Sequence, residues 1–310
     1  MVDSNKMHLL KSDLQKVFEE ILIGSEQVTL FQLKNFFIKS SSKYSCFESF
    51  IQTKSNQNTE DSSVVYQEIL DYIYEKHHSD LNLNTHNEDN KTLLMQVISV
   101  KNQTGVSFLL SKEADVNLRG SDDWTALHQA AILKDTEEII KELLKYKPNV
   151  LSKNKNSQTP LHLASGKNRN YNVRAILHYM INLVGEDTKS ESSDNLTLYN
   201  LSNLAGYLTD LKDYLGMTPF VKAFASGAFE TVREFFLFEE SYSKTLECTS
   251  LKGFFDVNEV DIHGNTALHY ACEFGHTESV LNLLERHVIP IRNKEGKYCY
   301  EFTNDENIKE

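Results

Sequence analysis

Asp261-Ile262-His263-Gly264-Asn265-Thr266-Ala267-Leu268-His269-Tyr270-Ala271-Cys272-Glu273-Phe274-Gly275-His276 reads as a hairpin that runs into a short helix. Gly264 can take the positive φ of a hairpin tip, and Thr266 can cap the helix that follows. Ala271 and Cys272 are small enough for neighbouring helices to approach closely. Gly275 ends the helix as a left-handed residue. Thr277 then restarts the chain into a second helix, whose Val280, Leu283 and Leu284 follow helical spacing.

Working outward, Thr266-Ala267-Leu268-His269 has two counterparts, Thr125-Ala126-Leu127-His128 and Thr159-Pro160-Leu161-His162. These tetrapeptides, each opening a small-residue and apolar helix pattern, resemble the ankyrin repeat, whose period is near 33 residues. The resemblance implies an all-α, ankyrin-repeat solenoid of helix-turn-helix units with β-turn tips. Each unit of such an array buries its apolar face only against its neighbours.

The register extends in both directions. Thr92 opens a degenerate unit (Thr92-Leu93-Leu94-Met95), Thr125 follows 33 residues later and Thr159 another 34. Thr218-Pro219-Phe220-Val221 lies 59 residues beyond Thr159, and Thr266 lies 48 beyond Thr218. Those steps are one period plus insertions of about 26 and about 15 residues, placed near 185–213 and 239–256. Asn293-Lys294-Glu295-Gly296-Lys297 starts a last unit that stops short, as a C-terminal cap or a truncated repeat. Upstream, 69–76 and Asp80-Leu81-Asn82 resemble the second helix and exit loop of one more unit, so the array is assigned to 59–310.

Residues 1–58 do not fit the repeat. They carry two helical patterns, Leu9 to Leu22 and Leu30 to Phe37, the second opened by a Thr29/Gln32 capping box. The segment is predicted to be a helical N-terminal cap or a small appended domain, joined by the polar stretch 53–61.

Formal net charge is −12. This argues against phosphate-backbone binding as the main activity, which needs a concentrated basic face, although a local basic stripe stays open. No run of about 18 apolar residues and no signal-peptide h-region occurs, so the expected location is the cytosol. Cys46, Cys248, Cys272 and Cys299 are scattered without a Cys-x-x-Cys pair. Neither a disulfide framework nor a zinc site is indicated, and no cofactor or metal is expected. His128, His162 and His269 recur at one repeat position, where the resemblance gives the imidazole a scaffold role of hydrogen-bonding neighbouring backbone. No hydrolase, kinase, Walker or zinc-protease signature appears, and the expectation is a chain that is not an enzyme.

The insertions are individual. The first joins a polar loop, 185–194, to a leucine-rich helical stretch, 196–211, predicted to extend the preceding helix and cover its own array, with a partner-docking helix as the alternative. The second carries Tyr242, Leu246, Leu251, Phe254 and Phe255.

The resemblance also implies where binding occurs: turn tips and exposed ends of first helices line a concave face. Carried residue by residue, that face holds Ser121, Asp122, Trp124, Ile132 and Leu133, then Lys155, Asn156, Gln158 and Lys167. Tyr214, Leu215 and Met217 follow, then Ile262, His263, Asn265, Glu273 and Phe274. An exposed Trp with Tyr, Met and Phe is the composition of an interface hot spot. The implied function is a non-enzymatic, monomeric protein-protein interaction module or adaptor for a protein partner. Lysine and asparagine richness, degenerate repeats and the acidic tail Asn304–Glu310 resemble ankyrin effectors that intracellular bacteria such as Legionella deliver into host cytosol. A eukaryotic regulator is the competing origin. An alternative of another class gives residues 1–55 an enzymatic or ubiquitin-pathway docking activity, with the repeats as substrate receptor.

Overall fold

A computed structural model describes residues 14–16, 18–24, 62–186, 208, 210–245, 255–286 and 288–303, and its chain forms two compact units, Met1–Ser121 and Asp122–Glu310. The boundary at 58, the second N-terminal helical pattern, most of both insertions and the acidic tail lie outside the described residues.

The N-terminal unit holds helical residues 14–16 and 18–23, α1 (Ser62–His77), α2 (Leu93–Ser99) and α3 (Gln103–Ser111). Leu14, Phe18, Ile21 and Leu22 are buried, and the Phe18 ring stands edge-on to Phe108 at 6.0 Å. Asn102 clamps this packing by donating Nδ2–H to the Leu22 carbonyl at 2.9 Å while its Oδ1 caps α3 through Gly105 N–H. The apolar pattern read at Leu14 to Leu22 is therefore core.

The C-terminal unit repeats one motif. Short first helices α4 (Ala126–Ile132), α6 (Pro160–Gly166), α8 (Pro219–Ala225) and α10 (Ala267–Glu273) alternate with second helices α5 (Glu137–Lys145), α7 (Asn170–Glu186), α9 (Phe229–Thr245) and α11 (Thr277–Leu284). A 3-10 turn, Cys299–Glu301, closes it. The first helices pack on one another in chain order, and the second helices α5, α7 and α9 do likewise. The small residues Ala126, Ala130, Ala131, Ala164, Ala223, Ala267 and Ala271 are all buried in the first-helix layer. Bidentate Arg174–Glu234 bonds at 2.5 and 2.6 Å join α7 to α9, and Arg286–Glu239 at 2.9 Å joins α9 to the turn that follows α11, with the guanidinium over Phe236.

Helix α7 runs to 186, and Leu208 and Leu211 beyond it are buried; most of the leucine-rich stretch expected to extend this helix lies outside the described residues. Phe255, at the end of the second insertion, stacks on Phe220 at 5.4 Å and meets Phe235 edge-on at 4.9 Å. Both insertions thus return to the chain through the core of the Thr218 unit.

The Thr-x-x-His tetrapeptides form one device. Thr125, Thr159 and Thr266 each cap a first helix, and each backbone N–H donates to Nδ1 of His128, His162 or His269 at 3.1 to 3.2 Å. Because Nδ1 accepts, the proton sits on Nε2, which faces a carbonyl of the following unit: Gln158 O at 3.1 Å, Met217 O at 3.1 Å and Lys297 O at 3.3 Å. Burial pushes His162 from its ordinary 6.5 down to about 4, and His269 is lowered for the same reason. Between those two values folded His162 holds fewer protons than the unfolded chain. Its contribution is therefore complete above 6.5 and is lost as pH falls towards 4. Going from about pH 7.5 to about pH 5 should remove about 2 kcal/mol through this residue. Thermal melts of wild type and His162→Gln at both pH values check this, with the variant expected to lose most of the acid sensitivity.

Candidate functional site

The candidate site is built on the hairpin tips. Five residues before the caps Thr159, Thr218, Thr266 and Tyr298 stand Asn154, Asp213, Asp261 and Asn293, and the Oδ1 of each accepts two N–H groups of its own tip. Asn154 takes Asn156 and Gln158, Asp213 takes Leu215 and Met217, Asp261 takes His263 and Asn265, and Asn293 takes Glu295 and Lys297, all at 2.8 to 3.1 Å. Ser157, Gly216, Gly264 and Gly296 supply the positive φ that closes each tip.

A second set of bonds ties tip to tip. Lys155 N–H donates to Asp122 O, Tyr214 N–H to Asn156 O, Ile262 N–H to Leu215 O and Lys294 N–H to His263 O, at 2.9 to 3.1 Å. Only backbone atoms are used. The side chains on this ladder are held in a fixed row without being spent on it.

Along this row Tyr214 is 60% exposed and Ile262 46%, and Asp122, Lys155, Asn156 and His263 are exposed too. The Asp122–Lys155 ion pair at 3.1 Å lies in solvent and adds little stability. Leu215 is half-buried. Trp124 is also half-buried, its ring 6.1 Å from His128 and tilted, so the indole leans on the array and presents one side. Asp122 and Asp123 both hold positive φ ahead of it.

At the far ends of the first helices, Phe274 is 50% exposed, Glu273 and Lys167 are exposed, and Ile132 and Leu133 are half-buried. Phe274 lies over Gly227, where a Cβ would come within 3.2 Å of its ring, and edge-on to Phe229 at 5.9 Å. Gly227 therefore seats the aromatic.

Four residues assigned to the face make contacts in the frame. Met217 is buried, 5% exposed, and belongs to the frame: it precedes Thr218, its carbonyl faces His162, and its unbranched apolar side chain turns inward. Asn265 is half-buried and accepts from Asn293 Nδ2 at 2.8 Å, so it links units. Ser121, in the N-terminal unit, gives both its donors to a neighbouring tip, N–H to Asn90 O at 2.8 Å and hydroxyl to Asp89 O. Gln158 lends its carbonyl to His128, and its side chain is half-buried. The tip Asx residues were missed, although their signal, Asp or Asn five residues before the cap, stands in the sequence at 154, 213, 261 and 293.

Among the described residues no group of three or more His, Cys, Asp or Glu side chains could hold a metal ion, and no helix is long and apolar enough to cross a membrane. Cys272 and Cys299 are buried free thiols.

Met217→Ala should destabilise the fold by about 2 to 5 kcal/mol, the range for emptying a buried methionine site. Tyr214→Ala should leave stability within about 0.5 kcal/mol. Denaturant unfolding of the two variants checks the division between frame and face.

Comparison with known proteins agrees with this geometry. The crystal structure of the ankyrin repeat domain of Bcl-3, a unique member of the IkappaB protein family, is similar in fold, with a TM-score of 0.54 at 15% sequence identity over 79% of this chain and 91% of that one. Ankyrin repeats match three stretches, residues 62–150, 101–191 and 154–294, and the chain belongs to the ankyrin-repeat family, whose members are protein-protein interaction modules.

Proposed function

We propose that this chain is a non-enzymatic adaptor that grips one protein partner through the turn-tip row and the exposed ends of its first helices. The observation that carries the reading is the backbone ladder from Asp122 to Lys294, which fixes Tyr214 and Ile262 in place while leaving them open to solvent. Ordered exposed aromatics lose little entropy on binding, which is why they dominate interface energetics. Trp124 and Phe274 extend the surface at its two sides. The chain acts as a monomer that presents this face to its target.

Packing of Phe18 and Leu22 into the N-terminal unit favours a cap over a catalytic or ubiquitin-pathway docking module in residues 1–55. Lysine-rich composition and degenerate repeats support a finer reading, an effector released by an intracellular bacterium to engage a host protein in the host cytosol. A reporter fusion that stays inside the bacterium during infection would end that finer reading and leave the adaptor intact.

The adaptor reading is tested by Trp124→Ala, Tyr214→Ala, Ile262→Ala and Phe274→Ala combined, with Lys141→Ala on the outer side of α5 as control. Folding should survive in both. Capture of the partner identified by cross-linking with wild type should weaken by roughly thirtyfold or more in the quadruple variant, the cost of losing hot-spot aromatics. Unchanged capture would move the functional surface elsewhere.

A further inference from the structure

From Leu143 to Gly185 the chain contains no Asp or Glu, although it has 44 of them. Seven of its 32 basic residues fall in that run: Lys145, Lys147, Lys153, Lys155, Lys167, Arg169 and Arg174. In a protein of net charge −12 this is a cationic island, and the repeat opened by Thr159 lies inside it. The island contributes to a groove of about 200 Å³ between the helix-to-helix loops of the Thr125 and Thr159 units. Leu133, Lys134, Arg169 and Tyr171 line it, and Asp135 and Glu137 on the older wall are its only acids.

Several surface lysines are committed to carboxylates. Lys141, Lys145, Lys155 and Lys297 each have a carboxylate within about 3 Å. Lys134 and Lys167 are exposed and, among the described residues, form no ion pair. Arg169 donates its Nε–H to the Ile132 carbonyl at 2.9 Å, which fixes the guanidinium plane, and among the described residues nothing engages its two terminal nitrogens. A guanidinium so held presents a fork matched to a carboxylate. Tyr171 beside it is 52% exposed, and Leu133 is half-buried.

We propose that this groove receives an acidic segment of the partner protein, a carboxylate side chain on Arg169 with Lys134 and Lys167 around it, and an adjacent apolar or aromatic side chain against Tyr171 and Leu133. The proposal rests on the adaptor reading and names the chemistry of its ligand. An acidic peptide fits better than a nucleic acid because the groove has room for one or two side chains, and the strongly acidic remainder of the chain repels an extended polyanion.

The test is fluorescence anisotropy with the full 310-residue chain and a labelled decapeptide of glutamates interrupted by one Leu-Tyr pair. Parallel arms use a labelled oligothymidylate and phosphatidylserine vesicles. The peptide should bind at about 50 mM salt and weaken as salt rises and the screening length shortens. Lys134→Glu combined with Lys167→Glu should raise its Kd about tenfold or more, because both positions are exposed and like charges face the ligand. Lys294→Glu, an exposed tip position outside the island, should change it less than twofold. Melting curves confirm that both variants fold. Equal binding by wild type and the double variant, an equal loss in Lys294→Glu, or tighter binding of oligothymidylate or vesicles overturns the proposal. Any of those outcomes, together with partner capture still lost in the turn-tip quadruple variant, removes the acidic ligand and keeps the adaptor.

Discussion

The array depends on a neutral imidazole that serves two units at once. His162 accepts from its own cap through Nδ1 and faces Met217 O of the next unit through Nε2, and His128 and His269 do the same. A protonated ring would lose its acceptor and bring charge into a fully buried place. Burial therefore selects the tautomer that can make both bonds. Where the tetrapeptide lacks histidine, at Met95 and Val221, the Thr92 and Thr218 hydroxyls cap their helices alone. Junctions of the two kinds coexist in one chain, so acid weakens the array unevenly along its length.

A second constraint appears in the hairpins as a substitution pattern within the chain itself. The tip residue is Asp at 213 and 261 and Asn at 154 and 293. Nine residues later stand Lys222 and Tyr270 after the two Asp, and Leu163 and Phe302 after the two Asn. Lys222 Nζ lies 3.5 Å from Asp213 Oδ2, and Tyr270 donates its hydroxyl to Asp261 Oδ2 at 2.5 Å. Oδ1 closes the hairpin in every case. Each Asp adds a second, charged acceptor in a buried residue, which is costly without a neighbouring cation or donor, so Asp stands where the first helix supplies Lys222 or Tyr270 and Asn where an apolar side chain stands instead. The pairing also raises the Tyr270 phenol above its usual range, with burial the larger cause.

Much of the fold was legible because the features that decide it are local. Thr as cap, His three residues on and Gly or Asn at the helix end each act within one turn of helix, so counting residues found every first helix. The face was less legible because side-chain direction is not local. Trp124, Gln158, Met217, Asn265 and Lys297 share one repeat position, just before the cap, yet Met217 is buried, Lys297 exposed and the other three in between. At that position the backbone is fixed and the side chain can turn either way, so its own polarity and the room beside it decide. Position alone assigned Met217 to the surface, and the neighbouring unit claimed it for the core. The ion pairs Arg174–Glu234 and Arg286–Glu239 escaped for a similar reason, since they span 60 and 47 residues with an irregular spacing between them.

Frame and face are separable here because the hairpin bonds use the side chain of one residue and the backbone of its neighbours. The two residues after each tip Asx, Tyr214 and Leu215 or Ile262 and His263, contribute only N–H and C=O groups to the ladder. Their side chains can change without breaking a bond, whereas a change at Asp213 or Asp261 breaks several. The same backbone positions carry Lys155 and Asn156 in one unit, Tyr214 and Leu215 in the next, and Lys294 and Glu295 in the last. One conformation thus displays cationic, aromatic, aliphatic and mixed pairs in succession, so the frame constrains where these side chains stand and leaves their chemistry to vary from unit to unit.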